Sequence, residues 1–230
     1  MHAEVALYLA TDPLAGEWLR GINPAARSLA RHYERGKPRL ETYEAMADEI
    51  VGEVERGLEV CAAFYGHPAV FVHPSHAAVA RVRAQGLPAV MLPAVSAEDC
   101  LFADLCFDPG AAGCQSYEAT DFLVNRRRID VTAALVLWQV TAIGVATYEP
   151  PPAVAGLRVL AETLLDSYPA GHEVTLYEAS PFPIGSPVIE RLPLGALAEA
   201  IPTPLATLYV PPLREPTPDA AMVERLGLTR

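Results

Sequence analysis

The chain has 230 residues, of which 51% are hydrophobic and 20% charged, a composition typical of globular proteins rather than disordered ones. This length accommodates one or two domains, and we predict two. Lys and Arg number 17 against 28 Asp and Glu, a net charge of −11 that repels polyphosphate backbones, so nucleic acid is not expected as a partner.

The strands and helices predicted from the first hundred residues alternate along the chain. In order, the pattern indicates a strand at 5–10, helices at 14–20 and 41–56, a strand at 58–64, a helix at 75–85 and a strand at 88–92. Gly57 and Gly86 are the stop residues of the second and third helices. This alternation predicts a parallel sheet with helices on both faces.

Two strand ends in this half carry residues suited to a ligand site, because ligands of open α/β sheets bind at the carboxyl ends of strands. The first strand end leads into a tight turn shaped by Gly66 and Pro68. After the second, a helix begins at a cap that Ser96 can form, with Asp99 at the third helical position. His67 lies in the first turn, where we expect it to cap the backbone rather than act as a general base.

The second half of the chain begins after the breaker-rich segment 108–113, so we predict domains at residues 1–112 and 113–230. The second domain holds predicted strands at 135–140, 173–178 and 205–210 and a helix at 154–167. The basic run Arg126-Arg127-Arg128 is expected to be a solvated surface turn, and an anion site is the alternative.

The cysteines are irregularly spaced and form no CxxC pair: Cys61, Cys100, Cys106 and Cys114. Neither a zinc site nor a disulfide framework is predicted, and no metal is expected. No apolar run reaches the ~18 residues of a membrane span, and no signal peptide opens the chain. We therefore expect a cytoplasmic protein without a membrane partner.

Several segments, in order, closely resemble the tetrapyrrole-methylase-like, class III methyltransferases. The segments are 64–71, 91–105, 113–119 and 135–140. More narrowly, the chain resembles the borosin branch, the S-adenosylmethionine-dependent enzymes that methylate backbone amide nitrogens of a ribosomally made peptide. The resemblance runs from about His2 to the C-terminus and implies two α/β domains with a cleft for S-adenosylmethionine between them. It also implies a homodimer.

One departure from that family concerns the N-terminus. These enzymes open with a strand, a Gly-rich turn and a helix before the part that matches Val5 onward, and the first strand and most of that helix are missing here. We expect a start assigned too late, and a truncated sheet is the alternative.

The loop 33–43 resembles the borosin catalytic loop of Tyr, Gly, Arg and Tyr. An amide nitrogen is a poor nucleophile because its lone pair is delocalised into the carbonyl, so its methylation needs a group that removes the proton or stabilises the imidate oxygen. The resemblance assigns Tyr33, Arg39 and Tyr43 as catalytic residues; our hypothesis is that Arg39 stabilises the imidate and a tyrosine takes the proton. From the residues alone, the loop also fits a polar connection between helices.

The resemblance also implies a set of contacts to S-adenosylmethionine, although each residue taken alone is equally compatible with packing or capping. These are Tyr65, Gly66, Val70, Phe71, Ser96, Ala97, Gln139, Tyr177 and Ala179.

The substrate is expected to be a separate precursor peptide supplied in trans, as in split borosins. In fused borosins the peptide is a C-terminal extension, whereas residues 219–228 are helix-like. Two alternatives stay open: a C-methyltransferase acting on a corrin or porphyrin precursor, and a non-catalytic peptide-binding relative.

Overall fold

The computed structural model describes residues 3–148, 154–182 and 184–228. These residues divide into two compact units. The first contains the described residues up to Cys100 together with 145–148, and the second contains the remainder from Leu101 onward. The predicted domain boundary at 112/113 stays a prediction. None of the helices in the described ranges has the length and apolar character needed to cross a membrane.

The first unit is built on a three-stranded parallel sheet in the order β2-β1-β3. Its elements are β1 (Val5–Leu9), α1 (Pro13–Ile22), β2 (Arg27–Ser28), α2 (Arg39–Glu55), β3 (Val60–Phe64) and α3 (His73–Ala84), and α4 (Ala97–Asp104) begins in it. β1 and β3 pair in register from Val5–Val60 to Leu9–Phe64. The predicted parallel sheet is confirmed.

Both faces of β1 are buried, since successive side chains of a strand point to opposite faces. Val5, Leu7 and Leu9 pack with apolar residues of α2 and α3, such as Met46 and Ala78. On the other face Tyr8 meets α1, where a Cβ added at Gly16 would lie 3.1 Å from the Tyr8 hydroxyl. Helices therefore cover both faces of this sheet, as the alternation predicts.

Helix termini in this unit follow the predicted signals. Gly57 and Gly86 come just after α2 and α3 and have φ of 82° and 76°, the left-handed conformation that glycine adopts without strain. At the start of α4, the Ser96 amide and hydroxyl both donate to the Asp99 carboxylate at 2.7 Å, and the Asp99 amide donates back to the Ser96 hydroxyl. The predicted capping box is confirmed.

The strand predicted at 88–92 is wrong. Residues 87–96 have no regular secondary structure, and Val90 and Leu92 are each 70% exposed. A strand requires a neighbour for its backbone hydrogen bonds. Among the described residues β3 pairs only with β1, so it ends the sheet, and no ladder extends to 88–92. Apolar β-prone residues indicated a strand but could not indicate its partner.

The second unit contains a five-stranded mixed sheet in the order β4-β5-β8-β6-β7. Its elements are α5 (Pro109–Ala112), β4 (Cys114–Glu118), α6 (Ala119–Val124), β5 (Ala134–Trp138), α7 (Val154–Leu165), β6 (Glu173–Glu178), β7 (Val188–Pro193), β8 (Thr207–Val210) and α8 (Ala220–Arg225). β4 and β5 are parallel, whereas β8 runs antiparallel to both β5 and β6.

The core of this unit lies around β5, whose five residues are all buried. Leu157, Leu160 and Leu164 of α7 belong to it, as their spacing predicts, but Leu165 is exposed. Sequence analysis missed β4 and β7 because both are edge strands whose side chains are largely polar or solvent-exposed.

Candidate active site

Local sequence brings the predicted catalytic residues together in the first unit. Tyr33 caps a 3₁₀ turn, Leu29–His32, and Arg39 opens α2. Between them the chain reverses in a turn closed by the Lys37 amide donating to the Glu34 carbonyl at 3.1 Å, with Gly36 at φ 77°. Arg39 and Tyr43 are four residues apart on one helix, so they share a face of α2.

A second segment, residues 146–148, runs antiparallel to this loop, and we call it the bracing segment. The Gly36 amide donates to the Tyr148 carbonyl and the Tyr148 amide donates to the Lys37 carbonyl, both at 2.9 Å. The Arg39 amide donates to the Ala146 carbonyl at 2.9 Å, and its Nε donates to the Thr147 carbonyl at 3.4 Å. Both backbone and guanidinium of Arg39 are thereby held.

Tyr43, Tyr65, Tyr148 and Arg39 all interact electrostatically with Tyr33, and we call this group of five residues the tyrosine–arginine cluster. Burial raises the pKa of Tyr33 well above its usual value of 10, and the neighbouring phenols raise it further, while Arg39 lowers it. Burial also raises the pKa of Tyr65, with Tyr43 raising it and Arg39 lowering it. The rings of Tyr33 and Tyr148 lie 4.8 Å apart between centroids, at 35°.

The raised pKa values of Tyr33 and Tyr65 determine their protonation state and hence their hydrogen-bonding role. Because their pKa values lie above 10, Tyr33 and Tyr65 carry their protons at neutral pH and are hydrogen-bond donors there. An arginine beside neutral phenol donors is an arrangement suited to an oxygen on which negative charge develops.

Tyr65 also opens the loop that follows β3, where the predicted contacts Gly66, Val70 and Phe71 lie. Its amide extends the sheet by donating to the Leu9 carbonyl at 3.0 Å. Gly66 and Phe71 both have positive φ, 69° and 55°, and the Phe71 side chain is half-exposed. His67 accepts the Ala69 amide at Nδ1, at 3.0 Å, so its predicted capping role is confirmed.

The other predicted contact of the first unit is the start of α4. Ser96 is buried and its hydroxyl belongs to the capping box described above, whereas Ala97 is exposed. The cap occupies the side chain of Ser96, so what this position presents to a ligand is mainly the small residue Ala97 and the local backbone.

In the second unit, Gln139 and Ala179 follow β5 and β6. β8 lies between these strands and runs antiparallel to both, so β5 and β6 are parallel and their carboxyl ends lie at one edge of the sheet. Gln139 is exposed with φ 57°, and Ala179 is half-buried. Tyr177 is 1% exposed and its hydroxyl donates to Asp104 at 2.7 Å, so its side chain is a core residue of this unit.

In each unit, the predicted contact residues have side chains suited to binding part of S-adenosylmethionine. The second unit offers an exposed amide, Gln139, for the charged amino-acid group and a small residue, Ala179, at the same edge of the sheet. The first offers exposed aromatic surface on Tyr65 and Phe71 beside the left-handed Gly66. Tyr177 and Ser96 are engaged within the protein.

The family profile of Tetrapyrrole (Corrin/Porphyrin) Methylases matches residues 2–187. The chain belongs to this family. A solved relative in fold is uroporphyrin-III-C-methyltransferase from Thermus thermophilus, with a TM-score of 0.59 and 20% identity over 92% of this chain and 83% of that one. Another structure of that enzyme, complexed with S-adenosyl homocysteine, matches with a TM-score of 0.56 and 18% identity, covering 91% and 86% of the two chains. The predicted α/β fold of this family is confirmed.

The names of the curated relatives join a methyltransferase and a peptide precursor in one protein. A methyltransferase/ribosomally synthesized cyclic peptide gymnopeptides precursor from Gymnopus fusipes is 40% identical over 99% of this chain and 56% of its own length. The corresponding omphalotin A precursor of Omphalotus olearius is 38% identical, over 98% and 55%. A type III borosin precursor of Anomoporia bombycina is 36% identical, over 92% and 25%. The chain thus spans about half the length or less of these relatives, and the predicted likeness to borosins is confirmed.

No prediction from the sequence assigned Tyr148 or the bracing segment to the site. Their only signal is an aromatic residue shortly after β5, and their partner Arg39 lies 108 residues away along the chain. No local pattern connects the two.

Proposed function

We propose that this chain is an S-adenosylmethionine-dependent methyltransferase that acts on backbone amide nitrogens of a ribosomally made peptide. The observation that carries the proposal is the tyrosine–arginine cluster, which gathers Tyr33, Arg39 and Tyr43 within one unit. Family membership supports methyl transfer, and the relatives, named as methyltransferase and peptide precursor together, support a peptide as the acceptor.

The chemistry demands a group that stabilises negative charge, since loss of the amide N–H proton leaves an imidate whose charge lies largely on the carbonyl oxygen. Arg39 supplies a permanent positive charge, and the bracing segment restrains it through two hydrogen bonds. Tyr33 and Tyr65, whose raised pKa values keep them protonated, add O–H donors beside that charge. Tyr43 shares the face of α2 with Arg39 and is our candidate for accepting the amide proton.

S-adenosylmethionine, when bound, supplies an electrophilic methyl group on sulfur. We assign its binding to Gly66, Val70, Phe71 and Ala97 in the first unit and to Gln139 and Ala179 in the second. Tyr65 serves both this surface and the cluster. The backbone at Ser96 and Tyr177 supports the loops, because the hydroxyls of these two residues are bound within the protein.

The finer parts of the proposal concern how the peptide arrives. We propose a separate precursor peptide, bound in trans by a homodimer. A location in the cytoplasm stays a prediction.

The first test is a methylation assay on variants of the cluster. Arg39→Ala removes the positive charge and Tyr43→Phe removes the proposed proton acceptor, so both should lower the methylation rate by about 10²-fold or more, the usual effect of deleting an oxyanion-stabilising group or a general base. The assay follows the mass of the precursor peptide after incubation with S-adenosylmethionine.

The matched control is Arg158→Ala, which removes an exposed arginine of α7 in the second unit. It should keep the parental rate. Binding of S-adenosylmethionine, measured by calorimetry, should be unchanged in all three variants. Parental methylation by Arg39→Ala and Tyr43→Phe would refute the assignment of these residues.

A further inference from the structure

Tyr148 is the one tyrosine of the cluster that no prediction assigned. It is 42% exposed, and its ring lies against that of Tyr33, with centroids 4.8 Å apart. Its backbone is bonded on both sides, to Gly36 through the carbonyl and to Lys37 through the amide. The residue therefore touches the candidate catalytic loop by its ring and by its main chain at once.

The loop needs such support because its own sequence provides little. Glu34, Arg35, Gly36 and Pro38 are all exposed, so no core packing fixes this stretch. Pro38 is the N-cap residue of α2 and makes no side-chain capping bond. The first amides of a helix have no acceptor within the helix, and a capping side chain normally accepts one of them. Here the Arg39 amide donates to the Ala146 carbonyl instead. The bracing segment thus replaces a helix cap at the residue on which the proposed chemistry depends.

We propose that Tyr148 is a positioning residue of the active site, whose ring holds the Tyr33 phenol in place while its backbone fixes the loop that carries Arg39. This inference rests on the proposed function, since it assigns Tyr148 a task in that reaction. The contact that the structure shows is between rings, so the aromatic ring performs the task and the Tyr148 hydroxyl is dispensable.

The same contact shields Tyr33 from water. Burial is the largest cause of the raised pKa of Tyr33, and the Tyr148 ring covers part of that side chain. Removing the ring admits water and lowers the pKa of Tyr33 toward its usual value. Replacing Tyr148 by phenylalanine leaves the cover in place.

The test compares Tyr148→Phe with Tyr148→Ala, and with Tyr148→Leu in case the alanine variant folds poorly. Tyr148→Phe should keep kcat within about twofold, whereas Tyr148→Ala and Tyr148→Leu should lower it about tenfold or more, because a misplaced catalytic group is costly. The dissociation constant for S-adenosylmethionine should stay the same in all. Trp18→Ala, which deletes an exposed aromatic residue on α1, is the control and should match the parent.

A second readout needs no methylation. In protein labelled with ¹³C at the tyrosine Cζ carbons, the Tyr33 resonance, assigned by its loss in Tyr33→Phe, reports ionisation directly. At pH 10.5, Tyr33 should stay protonated in the parent and in Tyr148→Phe and ionise in part in Tyr148→Ala or Tyr148→Leu.

The proposal is overturned if Tyr148→Phe loses as much activity as Tyr148→Ala, if both alanine and leucine variants match the parent, or if Tyr33 ionises identically in all. A parent that methylates no peptide refutes the proposed function instead, and the resonance measurement still decides whether Tyr148 governs Tyr33.

Discussion

Single residues in this protein show how burial sets the behaviour of a phenol. Tyr168 is 2% exposed, and its hydroxyl has no hydrogen-bond partner among the residues that the structure describes. Tyr177 is equally buried, but its hydroxyl donates to Asp104. An unpaired buried hydroxyl costs free energy that a paired one does not, so the two tyrosines should respond oppositely to loss of the oxygen.

Tyr168→Phe should raise the free energy of unfolding by about 1 kcal/mol at pH 7, because it removes an unsatisfied polar group and keeps the ring that stacks on His172. Tyr177→Phe, the control, should lower it by about 1 kcal/mol through the lost bond to Asp104. Urea denaturation measures both. A Tyr168→Phe protein as destabilised as Tyr177→Phe would show that the Tyr168 hydroxyl does find a partner.

The raised pKa of Tyr168 predicts that the stability of the protein depends on pH. Burial, with a smaller contribution from Asp130, raises the pKa of Tyr168 to about 12, whereas an unfolded tyrosine titrates near 10. The unfolded state therefore loses the proton first, and the stability of the parent should fall as the pH rises from about 10 to about 12. Tyr168→Phe should show a shallower fall over this range.

At the level of elements, the glycines of two helices distinguish close packing from open surface. A Cβ added at Gly156 of α7 would lie 2.6 Å from the Ile143 Cβ and 2.9 Å from its carbonyl oxygen. A Cβ at Gly52 of α2 would meet nothing within 4 Å. The backbone of neither glycine is left-handed, so only the surroundings differ.

Gly156→Ala should therefore lower the free energy of unfolding by about 1–3 kcal/mol despite the better helix propensity of alanine, because the backbone near Ile143 must move. Gly52→Ala should raise it by about 0.5–1 kcal/mol, the gain from propensity alone. Thermal unfolding of the two variants measures the difference. If both substitutions stabilise the protein, α7 and Ile143 are not in close contact.

Elements also show what the sequence could and could not predict. The capping box at Ser96, the glycine stops after α2 and α3 and the period of α7 all depend on residues within a few positions of one another, and these predictions were correct apart from the exposed Leu165. The strand at 88–92 failed because its existence depends on a distant neighbour. The edge strands β4 and β7 were missed because their side chains are largely polar or exposed to solvent, so their sequences show no clear apolar pattern.

At the scale of the whole molecule, several short motifs in order were enough to predict the family and its fold. The tyrosine–arginine cluster was predicted only in part. Tyr33, Arg39 and Tyr43 lie within eleven residues and were found together. Tyr65 was assigned to the cofactor alone, and Tyr148 was not assigned at all, because both reach Tyr33 through the fold rather than along the chain. The roles of all these residues depend on one claim, that the cluster serves amide methylation.

The measurement that tests this claim most directly is fragment mass spectrometry of the candidate precursor peptide, a short open reading frame sought beside this chain's gene, after co-expression with the parent and with Arg39→Ala. We expect increments of one methyl located on backbone nitrogens with the parent, and an unmodified peptide with Arg39→Ala. An unmodified peptide with a parent that binds S-adenosylmethionine, or methyl groups on side-chain or carbon positions, would contradict the account.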